Sequence, residues 1–254
     1  RVLKRDDYLV AAERAGEFLL DMMTDDNGRL YRTHKDRRSK LNGYLEDYAN
    51  VIDAMLELYQ STFVEKWFAE ARCLADIVLA HFKTDDGGFY DTSDDHETLI
   101  TRPRNLQDNA TPSGNAMMAK QFIRLAAYTG EAKSDESGRA ILRILTDALA
   151  QYPQAFGESL NATDMLVNGL SEVAIVGNPT HDGTKSILET LRQPYRPNVI
   201  SALSRQDLDE HELIPLLSYR KMRGEQPTVY VCRNFACQMP VTSAEETEKL
   251  LADG

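Results

Sequence analysis

The chain has 254 residues, of which 42% are hydrophobic, and carries a formal net charge of -11 with a pI near 5.0. This length can form one large domain or two ordinary ones, and folding would bury roughly 70–75% of the surface of the unfolded chain. The acidity argues against a nucleic-acid-binding protein, because phosphate recognition needs a basic surface. No run of about 18 apolar residues is present, which argues against a membrane-spanning helix.

Cysteine content and the amino terminus indicate the compartment. Three cysteines are too few for a disulfide framework, so we predict a reduced, cytoplasmic protein. The first residues carry no signal-peptide hydrophobic region, lack an initiator Met and open almost directly into a helix. We therefore expect the chain to be a piece of a longer protein.

The first two thirds of the chain show helical spacing of apolar residues. The first helix is predicted over residues 6–23, with an apolar face formed by Leu9, Ala12, Ala15, Leu19 and Met22. Further helices are predicted over 44–62, 64–82, 111–130, 134–152 and 158–170. The basic segment "HKDRRSKLNG" between the first two helices is interpreted as a polar loop.

Two similar glycine-containing segments follow two of these helices. "TDDNGRLYRT" begins at Thr24 and "TDDGGFYDT" begins 60 positions later, at Thr84. We predict a helix end and a turn, because glycine adopts the left-handed conformation found there. An EF-hand would need alternating carboxylates and a Glu at its twelfth position, which both segments lack. Tyr31, Phe89 and Tyr90 remain candidates for the wall of a pocket.

The repeat has a period of about 60 residues and indicates stacked helical hairpins whose long loops all lie at one end. After Leu170 the pattern changes to short β-branched strands, "EVAIVGN", "NVISALS" and "TVYVCRN", with helices at "DGTKSILETLRQ" and "SAEETEKLLADG". We predict helical hairpins over 1–170 and a small α/β extension over 171–254 that packs on them.

Several segments resemble the family of spermatogenesis-associated protein 20. They are "LEDYANVIDAMLELYQST", "DDGGFYDT", "TRPRNLQDNATPSGNAMMAKQFIRLAAYTGE", "YPQAFG", "SEVAIVGN" and "VYVCRNFACQMPVTSAEE". The resemblance implies a mainly α fold, part of an (α/α)6 six-hairpin toroid similar to those of N-acylglucosamine 2-epimerase and the six-hairpin glycosidases. In the family a thioredoxin-like domain precedes the toroid, and this chain looks like the C-terminal part. The partners implied are that missing domain and the missing hairpins, or a second copy that covers apolar faces.

The segment "LEDYA" supplies the first candidate site. Glu46 and Asp47 are predicted catalytic carboxylates at the mouth of the toroid, and Tyr48 is a predicted substrate contact. Adjacent helical residues project about 100° apart, so an opposing carboxylate must come from another segment, for example Asp108. The structural alternative is that acids in a first helical turn favour the helix dipole.

The loop "TRPRNLQDNATPSGN" is the most informative stretch, because polar side chains crowd before a helix start, where backbone N–H groups bind anions and polar oxygens. Asp108 is its predicted acid/base residue. Substrate binding is predicted for Arg102, Arg104, Asn109, Ser113 and Asn115, with Tyr48 and Tyr90 from other segments. The alternative is a loop that packs hairpins together, with Thr111 or Ser113 as a helix cap. Ser113 lacks the Gly-x-Ser-x-Gly context of a nucleophile.

Other motifs predict no metal or cofactor. The histidines lack His-Glu-x-x-His spacing, and His96 lies in the charged run "SDDHE". Cys232 and Cys237 meet neither zinc nor Cys-x-x-Cys spacing, so we interpret them as structural or free thiols. "VGNPTHDGTK" does not match a Walker A loop.

Two functions remain open at this point. The first is acid/base chemistry of an epimerase or glycosidase kind on a small carbohydrate, with a pocket at the long-loop end. The second is a non-catalytic module that binds a ligand or a partner and works with the thioredoxin-like domain. The resemblance implies a fold more strongly than a reaction, because one fold hosts many functions.

Overall fold

The computed structural model describes residues 3–97 and 100–252, so positions 253 and 254 of the predicted closing helix lie outside it. The helices are α1 (Asp6–Met22), α2 (Leu45–Thr62), α3 (Glu65–His81), α4 (Gly114–Thr129), α5 (Ala132–Ile144), α6 (Thr146–Gln151), α7 (Gly157–Val167), α8 (Asp182–Arg192) and α9 (Ala244–Ala252). The strands are β1 (Tyr31–Lys35), β2 (Arg38–Asn42), β3 (Ser171–Val176), β4 (Val199–Ser204), β5 (Thr228–Arg233) and β6 (Ala236–Cys237).

The chain divides into two compact units. The helical unit comprises Arg5–Ile123 and Ala132–Asp164, and the α/β unit comprises Arg1–Lys4, Arg124–Glu131 and Met165–Gly254. Helix α4 therefore contributes to both units, and the boundary at residue 170 stays a prediction. Within the described residues, no helix combines the length and apolar character that a membrane crossing requires.

The core of the helical unit forms around the hairpin of α2 and α3. Each of the two helices buries one apolar face. The fully buried side chains of this core include Tyr48, Ile52 and Tyr59 on α2 and Phe68 on α3. Helix α1 approaches this hairpin closely at Gly16, where an added Cβ would lie 2.9 Å from the ring of Trp67 and 3.0 Å from Leu58. The glycine thus permits a close helix contact.

The predicted apolar face of α1 was wrong in part. Gly16 is the residue that α1 buries, whereas Ala12, Ala15 and Met22 are exposed. The physical reason is the close contact at Gly16, which turns a neighbouring face toward the hairpin. An exposed apolar stripe remains at a spacing of three and four residues, formed by Tyr8, Ala11, Ala15, Phe18 and Met22.

Both repeated segments form the predicted turn just after the end of a helix. Gly28 and Gly87 have φ values of 78° and 96°, in the left-handed region. A β-bridge closes each turn, and the two bridges join Thr24 to Leu30 and Lys83 to Phe89. The predicted turn is therefore confirmed in both copies, but the helices end earlier, at Met22 and His81, so the glycines do not terminate them.

The basic segment predicted as a loop is a β-hairpin instead. Strands β1 and β2 pair antiparallel, and Lys35 lies opposite Arg38 across a two-residue turn. Asp36 and Arg37 both have positive φ, as a type I′ turn requires. The turn lacks the glycine that is typical of this geometry. Likewise, the helix predicted over 134–152 is interrupted at Leu145 and forms α5 and α6.

The α/β unit contains a four-stranded sheet in the order β4-β3-β5-β6. Strands β3 and β4 are parallel and joined through α8, and every residue of β3 is buried. Strand β6, which the sequence did not predict, follows β5 after the turn at Asn234 and Phe235. Cys232 and Cys237 lie opposite each other on these strands and form a disulfide. The interpretation of this pair as structural or free thiols did not include a disulfide, which forms because the hairpin brings the two cysteines together.

Candidate functional site

The start of α2 carries two carboxylates held by one arginine. Arg32 donates to Glu46 over 2.9 Å and to Asp47 over 2.8 Å. Asp47 also accepts the backbone N–H of Tyr44 over 2.8 Å, which caps the helix. The Arg32 guanidinium lies 4.2 Å from the centroid of the Tyr44 ring. The predicted catalytic acids thus lie beside an arginine stacked on an aromatic ring, and Glu46 retains a side chain 44% exposed.

Tyr48 lies beneath this surface. It is 1% exposed, and its hydroxyl accepts hydrogen bonds from the backbone of Leu30 over 3.0 Å and from Arg29 over 3.2 Å. Tyr48 therefore anchors the first repeated turn to α2. Its predicted role as a substrate contact would have to use a hydroxyl that already accepts these two hydrogen bonds.

Asp108 joins the starts of two helices. One carboxylate oxygen accepts the backbone N–H of Ser113 over 2.9 Å, just before α4, and the other accepts that of Glu158 over 2.9 Å, in the first turn of α7. The first N–H groups of a helix lack partners within it, and a carboxylate there also favours the helix dipole. The contacts of Asp108 are those of a double helix cap.

The neighbouring polar residues fix the same loop. The Ser113 hydroxyl accepts the N–H of Ala116 over 3.1 Å, so Ser113 caps α4 as the structural alternative predicted. Asn115 is fully buried and binds both backbone groups of Phe89 over 2.9 Å. It also donates to the carbonyl of Asn105 over 3.0 Å. Asn115 therefore ties the second repeated turn to α4.

Asn109 makes a local contact in the exposed part of this loop. Its side-chain oxygen accepts the N–H of Ala110 over 2.9 Å. The side chain thus stabilises a turn, and its predicted role in binding stays a prediction.

The two loop arginines lie against the second repeated turn. The Arg102 guanidinium lies 4.1 Å from the centroid of the Tyr90 ring and donates to the carbonyl of His81 over 3.3 Å. Arg104 donates to Asp86 over 2.6 Å and holds the pKa of that carboxyl at about 2. An added Cβ on Gly88 would lie 2.3 Å from the Arg104 guanidinium, so this glycine makes room for the arginine.

Sequence reasoning missed Asp91. The half-buried Asp91 accepts the backbone N–H of Asn105 over 3.0 Å, and its own carbonyl accepts that of Leu45 at the start of α2 over 2.8 Å. Burial raises its pKa, the nearby Glu46 charge adds to this, and Arg104 opposes it. The signal in the sequence was the repeat itself: the position after the shared tyrosine is Arg32 in one copy and Asp91 in the other.

A second group of charged side chains lies at the end of α3. Ligand-type atoms of His81, Asp94 and Asp95 lie within 4.8 Å of one another. His81 and Asp94 are 2.8 Å apart, while Asp95 is bound by both terminal nitrogens of Arg29 over 2.7 and 2.8 Å. Arg29 holds the pKa of Asp95 at about 2. The positive charge of Arg29 therefore already neutralises one of the two carboxylates of the group.

Known proteins are similar to the chain over most of its length. Spermatogenesis-associated protein 20 of Rattus norvegicus is 30% identical over 263 aligned positions, which cover 98% of this chain and 33% of the relative. The protein of the same name from Homo sapiens is 29% identical and covers 98% of this chain and 34% of its own length. The chain thus spans about a third of these relatives, and the family resemblance is confirmed. No model of a known protein family matches it.

Two solved structures are similar to part of the chain. Cellobiose 2-epimerase from Bacillus thermoamylovorans is 15% identical with a TM-score of 0.47, covering 57% of this chain and 39% of that one. A UGL variant together with dGlcA-Glc-Rha-Glc is 16% identical with a TM-score of 0.41, covering 57% and 41%. At these identities the likeness concerns the fold alone. The predicted fold class, a mainly α chain of paired helices with a small α/β extension, agrees with the helices and sheet described above.

Proposed function

We propose that the surface around the starts of α2 and α4 binds a small carbohydrate and transfers protons to and from it. The observation that carries this proposal is the carboxyl pair Asp91 and Glu46, whose environments differ. Burial raises the pKa of Asp91, while Glu46 is ion-paired with Arg32. A buried carboxyl with a raised pKa beside an ion-paired carboxylate can supply an acid and a base at one site.

The roles follow from those environments. Asp91 holds a proton more readily than an ordinary aspartate and donates it to a departing or ring oxygen. Glu46 accepts a proton or a hydroxyl hydrogen bond. Asp91 replaces Asp108 as the partner of Glu46 in this proposal, because both oxygens of Asp108 already cap helices.

Aromatic rings and arginines beside the pair suit a sugar. Tyr44 and Tyr90 each carry a stacked guanidinium, from Arg32 and Arg102 respectively. The apolar face of a sugar ring can pack on such rings, and guanidinium groups can donate to its hydroxyls.

The test is calorimetric titration of the protein with cellobiose and with N-acetylglucosamine, together with mass spectrometry of either sugar after incubation in D₂O. We expect saturable binding and deuterium incorporation or cleavage, and Asp91→Asn should abolish the chemical change. Asp85→Asn, an exposed carboxylate in the same repeated segment, is the matched control and should retain it. Absence of binding by both sugars would overturn the proposal.

A second candidate function is a non-catalytic binding module. The observation that favours it is that Asp108, Ser113 and Asn115 hold the loop in place through helix caps and backbone hydrogen bonds. Sugar binding without deuterium incorporation or cleavage, unchanged in Asp91→Asn, would select this candidate over the first.

A further inference from the structure

The sheet of the α/β unit places two cysteines and a buried carboxyl on one face. Cys232 on β5 lies opposite Glu172 on β3 and opposite Cys237 on β6. Side chains of directly opposite residues in antiparallel strands project from the same face. The disulfide and Glu172 are therefore neighbours because of strand register.

A guanidinium group reaches both sulfur atoms. A terminal nitrogen of Arg220 lies 3.0 Å from the Cys237 sulfur and 3.7 Å from the Cys232 sulfur. The same guanidinium lies 5.0 Å from the centroid of the Tyr230 ring, which fixes its position. A disulfide sulfur is a weak acceptor, whereas a thiolate is an anion that a neighbouring cation stabilises. Arg220 is thus placed to favour the reduced pair more than the oxidised one.

Glu172 can act as a general acid beside the disulfide. It is 3% exposed, and one carboxyl oxygen accepts the backbone N–H of Phe235 over 2.8 Å. Burial raises its pKa, while the N–H groups of Phe235 and Asn234 and the charge of Arg220 oppose that shift. A carboxyl that retains its proton in this position can supply it to a departing sulfur.

The two sulfurs differ in access, and the ring that they close is short. Cys232 is 1% exposed, whereas Cys237 is half-buried at the end of the unit's edge strand. The cysteines are separated by five positions, so their bond restricts the unfolded chain far less than one that closes a long loop. A purely stabilising role gains little from this spacing, and Cys237 is the more exposed residue of the pair.

We propose that Cys232 and Cys237 form a redox site that exchanges electrons with a dithiol. A thiolate of the dithiol attacks the Cys237 sulfur, the disulfide breaks, and Cys232 leaves as a thiolate that takes the proton of Glu172. The second thiol of the dithiol loses its proton to water and attacks the mixed disulfide. Cys237 then leaves as a thiolate beside Arg220, and Glu172 regains a proton from water.

Atoms and electrons balance in this exchange. The protein disulfide accepts two electrons and becomes two thiols, and the dithiol gives up two electrons and becomes a disulfide. The reverse sequence oxidises the protein pair. No metal or other cofactor takes part in either direction.

The charged and titratable groups around the pair favour a Cys237 thiolate. On the same face lie Arg220, Glu172 and Tyr230, whose hydroxyl donates to the carbonyl of Lys221 over 2.8 Å. Arg233 projects from the opposite face of β5 and donates to the carbonyl of Asn168 over 3.3 Å. Arg220 is the cation of this group that contacts the Cys237 sulfur, at 3.0 Å, so its charge favours a thiolate there.

The test is the pH dependence of alkylation after reduction with dithiothreitol, measured for each cysteine by peptide mass spectrometry. Cys73 is the internal reference, since burial and the nearby charges of Glu70 and Asp76 raise the pKa of this exposed thiol. At about pH 6.5 we expect Cys237 to react roughly tenfold faster than Cys73, because only the thiolate is alkylated. Equal pH profiles for the two thiols would overturn the proposal.

Variants separate a positioned cation from a merely structural arginine. Arg220→Gln should remove most of the rate advantage of Cys237, and Arg220→Lys should keep much of it. Arg233→Gln is the matched control on the opposite face and should keep the wild-type profile. If Arg220→Gln does not fold, Arg220→Lys and the wild type decide: Cys237 should react faster than Cys73 in both proteins, and equal pH profiles of the two thiols in both contradict the proposal.

Equilibration in glutathione buffers of graded ratio supplies an independent measurement. We expect the fraction of the oxidised pair to change with the ratio in the folded protein, as thiol trapping would record. A pair that stays wholly oxidised, even with excess dithiothreitol under native conditions, is structural and overturns the proposal.

Discussion

Asp108 shows that a carboxylate among polar loop residues can serve helix ends rather than a substrate. Its two oxygens accept backbone N–H groups at the starts of α4 and α7, which are far apart in sequence. The sequence predicted the polar loop and the helix start that it precedes. It could not identify the second helix, because that contact depends on how residues 108 and 158 come together in the fold.

Replacement of Asp108 should therefore lower stability. We expect Asp108→Ala to reduce the free energy of unfolding by about 1–3 kcal/mol, since two helix caps are lost, and Asp108→Asn to cost less because one acceptor remains. Urea denaturation measures both variants. The control Asp26→Ala removes an exposed carboxylate of the first repeated turn and should change stability by less than about 0.5 kcal/mol. A wild-type stability for Asp108→Ala would contradict the capping role.

The ion pair of Asp86 and Arg104 makes stability depend on pH. Arg104 holds the pKa of Asp86 at about 2, below the ordinary value of 3.8, so folding favours the ionised carboxyl. The resulting stabilisation is present above the ordinary pKa and is lost as the pH falls toward 2. In urea denaturation, the wild type should be more stable than Asp86→Asn at neutral pH, and this difference should narrow as the pH falls below 3.8. In an Arg104→Gln background the narrowing should be smaller, because Arg104 is the largest of the contacts that lower this pKa, ahead of Thr84. An equally large narrowing would assign the effect to another partner.

At the scale of elements, most helices and the strands β3, β4 and β5 followed from the sequence, whereas β1, β2 and β6 did not. The glycine turns at residues 28 and 87 and the α2–α3 hairpin agree with the predictions because local rules determine them. The hairpin of β1 and β2 was missed because Asp36 and Arg37 occupy positive-φ positions without a glycine. Asp91 was missed because its raised pKa arises from burial beside Glu46, which no local pattern encodes.

The starts of α2 and α4 lie in direct contact, and Gly114 permits it. An added Cβ there would lie 3.0 Å from the backbone nitrogen of Glu46 and 3.0 Å from the Leu45 side chain. We expect Gly114→Ala to lower the free energy of unfolding by about 1–3 kcal/mol through overpacking. It should also weaken any ligand binding at this surface, because the starts of both helices would have to move apart.

Gly157 supplies the matched control for that substitution. It is also the first residue of a helix, α7, but nothing lies within 4 Å of an added Cβ. Gly157→Ala should leave stability unchanged or raise it by about 0.5–1 kcal/mol, because alanine has fewer unfolded conformations. Equal effects of the two substitutions in thermal or urea denaturation would show that close packing at Gly114 is not what matters.

At the scale of the whole molecule, the apolar stripe of α1 is unusual for a chain with a net charge of -11. Its five members, Tyr8, Ala11, Ala15, Phe18 and Met22, are exposed and follow the three-and-four spacing of a helix-packing seam. The chain also spans about a third of its relatives. An apolar seam of this kind favours contact with a further helix, and in the isolated chain a second copy can supply that helix.

We therefore expect the isolated chain to self-associate through α1, with a weight-average mass in sedimentation velocity that rises with protein concentration. Ala15→Glu places a charge at the centre of the stripe without changing helix propensity greatly, and it should shift the association toward the monomer. Val10→Glu is the matched control, because Val10 is exposed on α1 but lies about 160° around the helix from the stripe residue Tyr8. Val10, like Ala15, is an exposed apolar residue of α1. Loss of association in both variants would therefore indicate a general effect of charge on α1. Only a selective loss in Ala15→Glu assigns the contact to the seam, and a wild type that stays monomeric at every concentration contradicts it.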